Sequence, residues 1–347
     1  VNFEQNIMTY LHECIGFDRS TKAIMHILLG KRSAQTIQDI HLFQVENLGG
    51  LLKFAPEYLC KTFEQKFQAY RKRQEMFRNR AGENTGLNPL LSNKIHGMRN
   101  EWTGQAQFFF EGVALTVQSC SFLKAGESYF FPVSENEVIQ HKVKRLLKSG
   151  GDIHDVTSQL YVELNMALTF VTDIDVTPFV LKLTAKNEVG YTYSQLADMY
   201  QLTELEMYIR IRMTLHAVLD EITSSPRDYP LLKMLLTDDQ SETRLFTATA
   251  MKTKELLEKG RSLEEIANVR RLKMSTVEDH LAELAFADDT FDYRPYLTED
   301  DLSHLCQVIK KTNATKLRQL RDETMEQYSY LQLRIAMALS RGRSIES

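Results

Sequence analysis

The chain has 347 residues, 43% hydrophobic and 25% charged, which is globular material long enough for roughly two or three domains. Its formal net charge is only −4, so no whole-protein field draws it onto nucleic acid, and any such contact must come from local patches. Seven prolines and fifteen glycines favour helices over a turn-rich β fold, and no apolar run reaches the roughly 20 residues of a membrane span.

Phe108 to Val117 comes closest to such a run and is broken by Glu111. Cys14, Cys60, Cys120 and Cys306 lie far apart, with no C-x-x-C pair and no histidine cluster at metal spacing. They read as buried free thiols. Free thiols make a cytoplasmic location the default expectation, and the opening Val1-Asn-Phe-Glu-Gln-Asn lacks the basic start and apolar core of a secretory signal.

Residues 3 to 29 read as two helices broken at Gly16-Phe-Asp-Arg-Ser, with Ile24, Ile27 and Leu28 forming one apolar stripe in the second. Ser33 is a good N-cap for a third helix facing Ile37, Ile40 and Leu42 inward. Lys31 and Arg32 stand just ahead of that helix start, where a phosphate would be favoured, which makes a first candidate helix-turn-helix; a plain helical hairpin with solvated cations fits equally well. Pro56 opens a long helix with Leu59, Phe63, Phe67, Tyr70 and Phe77 on one face. Its other face carries Lys61, Lys66, Arg71, Lys72, Arg73, Arg78 and Arg80, either a stripe along a phosphate backbone or a solvated face. The polar loop from Ala81 to Pro89 ends it.

Trp102 to Val117 is the most aromatic stretch, and its run with Val113, Leu115 and Val117 argues for burial over a base-stacking platform. Tyr129-Phe-Phe-Pro is an extended link into a short helix carrying Lys142, Lys144, Arg145 and Lys148. Ser149-Gly-Gly ends that helix and sets a domain boundary near residue 150. Asp173 and Asp175 would share a face on an extended strand, as metal-dependent nucleases require, but no further acid or histidine completes such a site. A second helix-turn-helix-like unit follows, with capping boxes at Thr192/Gln195 and Thr203/Glu206 and with Ala197, Leu202 and Met207. Thr223-Ser-Ser-Pro and Thr237-Asp-Asp-Gln-Ser-Glu-Thr are the linker candidates.

The stretch from Thr249 to Leu284 is the clearest of all. Ala267, Leu272 and Val277 are the small residue, the tucked turn residue and the branched residue that two steeply crossing helices need. Beyond it, Ala287 to Pro295 reads as a loop or short wing, Thr298 caps a helix with Leu302, Leu305 and Ile309 inward, and Ser329 with Gln332 starts a last one. The fold expectation is all-α and multi-domain, with helix-turn-helix or winged-helix-like units: residues 1–150, 151–236 and 237–347. No Walker A loop, G-x-G-x-x-G, H-E-x-x-H or G-x-S-x-G occurs, so binding is expected rather than catalysis, with no metal or cofactor.

Residues 246–340 resemble the helix-turn-helix domain at the C-terminus of bacterial RecQ-type helicases. The resemblance rests on Gly260, Ser262, Leu263, Glu265, Ile266, Ala267, Arg270, Leu272, Ser275, Thr276, Val277, His280 and Leu281, then Tyr330, Leu333, Arg334, Ala336 and Ala338. Leu28-Leu-Gly-Lys-Arg-Ser-Ala-Gln-Thr-Ile-Gln-Asp with His41-Leu-Phe resembles the start of the YpbB family. That family implies an accessory protein with no helicase motor, encoded beside a RecQ-type helicase, acting on DNA in replication or repair, in the bacterial cytoplasm and at the nucleoid. One departure stands out: Lys273 occupies a position where the family often has a capping serine, so Ser275 and Glu278 offer a later capping box.

The DNA-contact candidates are therefore Lys31, Arg32, Ser33 and Gln35 at the first turn. At the last they are Arg270, Arg271 and Lys273 for phosphates and Ser275, Thr276 and His280 for the groove. Glu278, Asp279 and Glu283 on the same helix argue against sequence-specific reading. They leave open an adaptor that docks on the helicase by an acidic face, and a transcription regulator remains a further alternative.

Overall fold

A computed structural model describes residues 3–78, 102–237, 247–288, 290–312 and 314–342. These residues form α-helices, short turns and one isolated bridge between Ala185 and Glu188, with no strand among them, so the all-α expectation holds. Among the described residues no helix is long and apolar enough to cross a membrane. The four cysteines are free; Cys60, Cys120 and Cys306 are buried and Cys14 is half-buried.

The chain forms two compact units, neither of them a continuous stretch. The first takes residues 3–7, 53–65 and 102–237, the second 8–52, 66–78 and 247–342. This differs from the expected division into 1–150, 151–236 and 237–347: the N-terminal 150 residues are shared out between both units. The candidate linker 237–243 lies almost wholly outside the described residues.

In the first unit the central helices are α5 (Trp102–Lys124), α6 (Glu137–Ser149), α7 (Ile153–Thr169) and α10 (Glu204–Ser224), with the shorter α8 (Thr177–Leu181) and α9 (Tyr193–Tyr200) preceding the last. The aromatic stretch is core, with Phe109 and Val113 fully buried in one cluster with Val143, Leu146, Val156, Ile211 and Leu215. That cluster runs through residue 150, so the expected boundary there is a glycine corner. A Cβ on Gly150 would lie 2.4 Å from Val156 Cγ2. Likewise Thr223-Ser-Ser-Pro joins α10 to α11 (Pro230–Met234) inside the same core, which holds Tyr229 and Leu232 fully buried. Glu163, 3% exposed, fixes this corner by accepting hydrogen bonds from the Leu231 and Leu232 amides at 3.0 and 2.9 Å. Those amides are orphan donors at a helix start, and a carboxylate there is favoured by the helix dipole.

In the second unit α1 (Phe3–Ile15, from Met8 onward), α2 (Thr21–Leu28) and α3 (Ala34–Leu42) associate with six C-terminal helices. Those six are α12 (Ala248–Glu258), α13 (Leu263–Arg270), α14 (Met274–Ala287), α15 (Glu299–Thr312), α16 (Leu317–Glu323) and α17 (Tyr330–Gly342). Helix α14 is the hub, packed against α3, α12, α13 and α17. Its Val277, Leu281 and Leu284 are buried, and Phe286 stacks on His41 of α3 at 6.3 Å between centroids. Both flanking caps read from the sequence form: the Asp301 amide donates to Thr298 Oγ1 (3.1 Å) and the Gln332 amide to Ser329 Oγ (3.2 Å).

The long helix α4 (Glu57–Arg78) contributes to both units, and its side chains are described as far as Met76. Arg71 does not lie on the basic face expected of it. It is 8% exposed, donating to the Gly16 and Arg19 carbonyls at 3.0 and 2.7 Å, with its guanidinium over the Phe17 ring. Arg80 and the loop 81–89 lie outside the described residues.

Candidate nucleic-acid interface

Two turns of the chain are built on the same local rules. In the second unit Ser262 and Glu265 form a reciprocal capping box at the start of α13. The helix then stops at Arg271, which sits at φ 52°, in the left-handed region. The Leu272 amide reaches back to the Ala267 carbonyl (2.9 Å), and the chain re-enters a helix at Met274. In the first unit Thr192 and Gln195 form the capping box of α9 (Tyr193–Tyr200), Gln201 takes φ 55°, and the Leu202 amide reaches the Ala197 carbonyl (2.9 Å) before α10. These are Schellman-type stops, in which a left-handed residue lets the next amide satisfy an orphan carbonyl. The small residues Ala197 and Ala267 accept that close return.

The turn between α2 and α3 is related but looser. Gly30 takes the left-handed position at φ 62°, the Lys31 amide bonds the His26 carbonyl (2.9 Å), and Ser33 caps α3 by accepting from the Thr36 amide (3.3 Å). Here the residue beneath the turn is Lys31, which is exposed, so nothing apolar tucks under it.

The turns differ at the start of the second helix. Thr203 caps α10 by accepting from the Glu206 amide (3.2 Å), and Glu204 and Glu206 fill its first turn. In α14 the N-cap is Lys273, which makes no side-chain cap; the later box from Ser275 does not form, and the helix begins at Met274. The amides of Met274 and Ser275 therefore have no acceptor among the described residues. Arg271, Lys273 and Ser275 are exposed and Thr276 is half-buried around them. A helix start that lacks a cap and is flanked by cations favours an anion.

Other predicted contacts lie elsewhere. Arg270 Nη1 donates to the Thr249 carbonyl (2.8 Å) and to Thr253 Oγ1, tying α13 to α12. Thr253, fully buried, lies 2.9 Å from His280 Nδ1. The hydroxyl, with one proton and two lone pairs, bridges the Arg270 guanidinium and the His280 imidazole. Burial first, and then Arg270, hold the imidazole pKa below the ordinary value. At 6% exposed, His280 is packed in the unit and not presented to a groove. At the first turn Lys31 and Arg32 are exposed, with Arg32 within electrostatic reach of Glu283. The Ser33 hydroxyl is spent on its cap, and Gln35 Nε2 donates to Asp39 (2.8 Å), which also pairs with Arg19. Both predicted groups belong to the second unit, joined by the packing of α3 on α14.

The acids of α14 are largely consumed inside the unit. Asp279 pairs with Arg334 of α17. Glu283, 1% exposed, accepts from the amide and hydroxyl of Thr247 at the start of α12, and burial pushes its carboxyl above the ordinary range. Of these three acids, Glu278 has no such partner among the described residues. Asp175 is likewise accounted for, accepting from the Thr177 amide (2.9 Å), and no group of three or more metal-ligating side chains occurs among the described residues.

Comparison with known proteins agrees with this geometry. Residues 249–337 match the family described as "Helix-turn-helix domain", which spans α12 to α17 and is of the class that binds DNA. The whole chain is similar to Protein YpbB of Bacillus subtilis (strain 168), 28% identical over 331 residues that cover 93% of each chain. The resemblance read from the two ends is thus borne out and extends through the middle. No solved structure matches.

Proposed function

We propose that the chain is a DNA-binding accessory protein, without catalysis or cofactor of its own, that works with a RecQ-type helicase in replication, recombination or repair. The observation that carries this reading is the uncapped, exposed turn from Arg271 to Thr276 within a helix-turn-helix domain. Two cations and two free amides face a phosphate there, while the rest of α14 is packed in the unit. Contact is therefore dominated by the backbone of the nucleic acid, with base reading confined to Ser275 and Thr276. The helicase partnership rests on the resemblance to YpbB, and a location in the cytoplasm at the nucleoid follows from it.

The adaptor alternative, docking by an acidic face, loses support because Asp279 and Glu283 are engaged internally. A salt titration of binding to single-stranded, duplex and forked DNA tests the reading. Binding with a negative salt slope is expected, and a slope near zero on every substrate contradicts it. Copurification with a RecQ-type helicase tests the partnership separately, and failure to associate at micromolar concentration contradicts that part alone.

A further inference from the structure

The segment between α5 and α6 holds Tyr129 and Phe131 in water, 81% and 84% exposed. Large aromatics are normally buried, since leaving one exposed forgoes about 1.5–3 kcal/mol. This exposure is mounted on a fixed backbone. The buried Gln118 side chain donates to the Phe131 carbonyl (3.0 Å) and accepts from the Val133 amide (2.9 Å). Between the two exposed rings, Phe130 turns inward and stacks on Phe122 at 4.7 Å. Ser134, 3% exposed, donates to Glu111 (2.7 Å), and its carbonyl accepts from Gln140 of α6 (2.9 Å). Extended backbone alternates its side chains, so residues 129 and 131 share the outer face. Their ring centroids are 6.1 Å apart at an interplanar angle of 67°.

The same segment runs directly into α6, whose sequence carries Lys142, Lys144, Arg145 and Lys148 against a single acid, Glu137. Lys144, Arg145 and Lys148 are exposed, and none of them forms an ion pair among the described residues. A shallow groove of about 620 Å³ lies along this helix, lined by Glu137, Val138, His141, Lys142 and Arg145.

We propose that Tyr129, Phe131 and the basic face of α6 form a binding surface for single-stranded nucleic acid. Two outward aromatic faces on the segment that leads into a helix of unpaired cations match a strand with unpaired bases and a phosphate backbone. A duplex hides its base faces and leaves the rings without a partner. The surface belongs to the first unit and does not depend on the turn proposed to contact DNA in the second.

The test is fluorescence anisotropy of the full chain with a labelled oligothymidylate of about 20 nucleotides, longer than the ~4–16 nucleotides of a typical single-strand site. Tyr129→Ala with Phe131→Ala weakens binding at least about tenfold, as loss of two stacking contacts requires, while Phe131→Trp restores it. Lys144→Ala with Arg145→Ala flattens the log–log salt slope by about 1.4. Arg271→Ala with Lys273→Ala weakens duplex binding and leaves the oligothymidylate affinity in place, so this proposal and the function above fail separately. Unchanged oligothymidylate affinity in the double aromatic variant, with its circular dichroism intact, overturns the proposal. Dependence on the basic pair alone does so too, and assigns the rings to a protein partner.

Discussion

The turn at 192–207 and the turn at 262–277 share a capping box, a left-handed stop, a small residue and a tucked leucine, and they differ in what opens the next helix. In the first unit Thr203 caps the Glu206 amide, and Glu204 and Glu206 place negative charge on the first turn. In the second Lys273 leaves the helix start open. The backbone motif is therefore a packing device common to both, and the proposed DNA contact rests on the few residues that follow the stop. Two helices crossing over such a turn do not make a DNA reader; an unsatisfied, cation-flanked helix start is what separates the second from the first.

Variants that break or transfer this difference sharpen it. The largest effect is expected at Gly190, ahead of the first turn, where an added Cβ would lie 2.1 Å from the Lys182 carbonyl oxygen. Backbone cannot yield there, so Gly190→Ala costs about 3 kcal/mol by chemical denaturation and leaves duplex binding by the folded fraction unaltered. Next, Thr203→Ala removes a working cap and costs about 1 kcal/mol. Lys273→Thr supplies a missing one, gains about 1 kcal/mol and weakens duplex binding, because it removes one of the two cations beside the open helix start. A smaller effect comes at the left-handed stops. Gln201→Gly and Arg271→Gly each raise stability by about 0.5–1 kcal/mol, and only the second lowers DNA affinity.

The smallest effect is a pH dependence at His280, which faces Thr253, Arg270 and Asp279. Its folded pKa lies below the ordinary 6.5. The unfolded state then binds the proton first, so this contribution to stability is full above that value and is lost as pH falls below it. Denaturation midpoints between about pH 7 and 5 should fall more steeply in the native chain than in His280→Asn.

Local patterns carried over well from the sequence. The spacing of Ala267, Leu272 and Val277, the boxes at Ser329/Gln332 and Thr192/Gln195, and the buried face of the aromatic stretch were all legible, because each is set by residues within one or two helical turns. Partners far along the chain left no such trace. The hydrogen bonds of Arg270, Asp279 and Glu283 reach 21, 55 and 36 residues away. Without them the acids of α14 looked like a repulsive surface, and Arg270 and His280 looked like contacts. Nor could periodicity show that α3 packs on α14, or that Arg71 turns inward to two carbonyls. The exposed pair Tyr129 and Phe131 escaped for a related reason: three consecutive aromatics read as an extended link, but only the clamp from Gln118 shows which side meets water.

On the proposed reading the open helix start of α14, and not its capped counterpart in α10, meets the DNA backbone. A salt titration of duplex binding by the native chain, by Arg271→Ala with Lys273→Ala, and by Glu204→Gln with Glu206→Gln tests it most directly. The first pair is expected to lower affinity and flatten the salt slope by about 1.8, and the second pair to change neither. A slope unchanged in the Arg271 and Lys273 variant would contradict it.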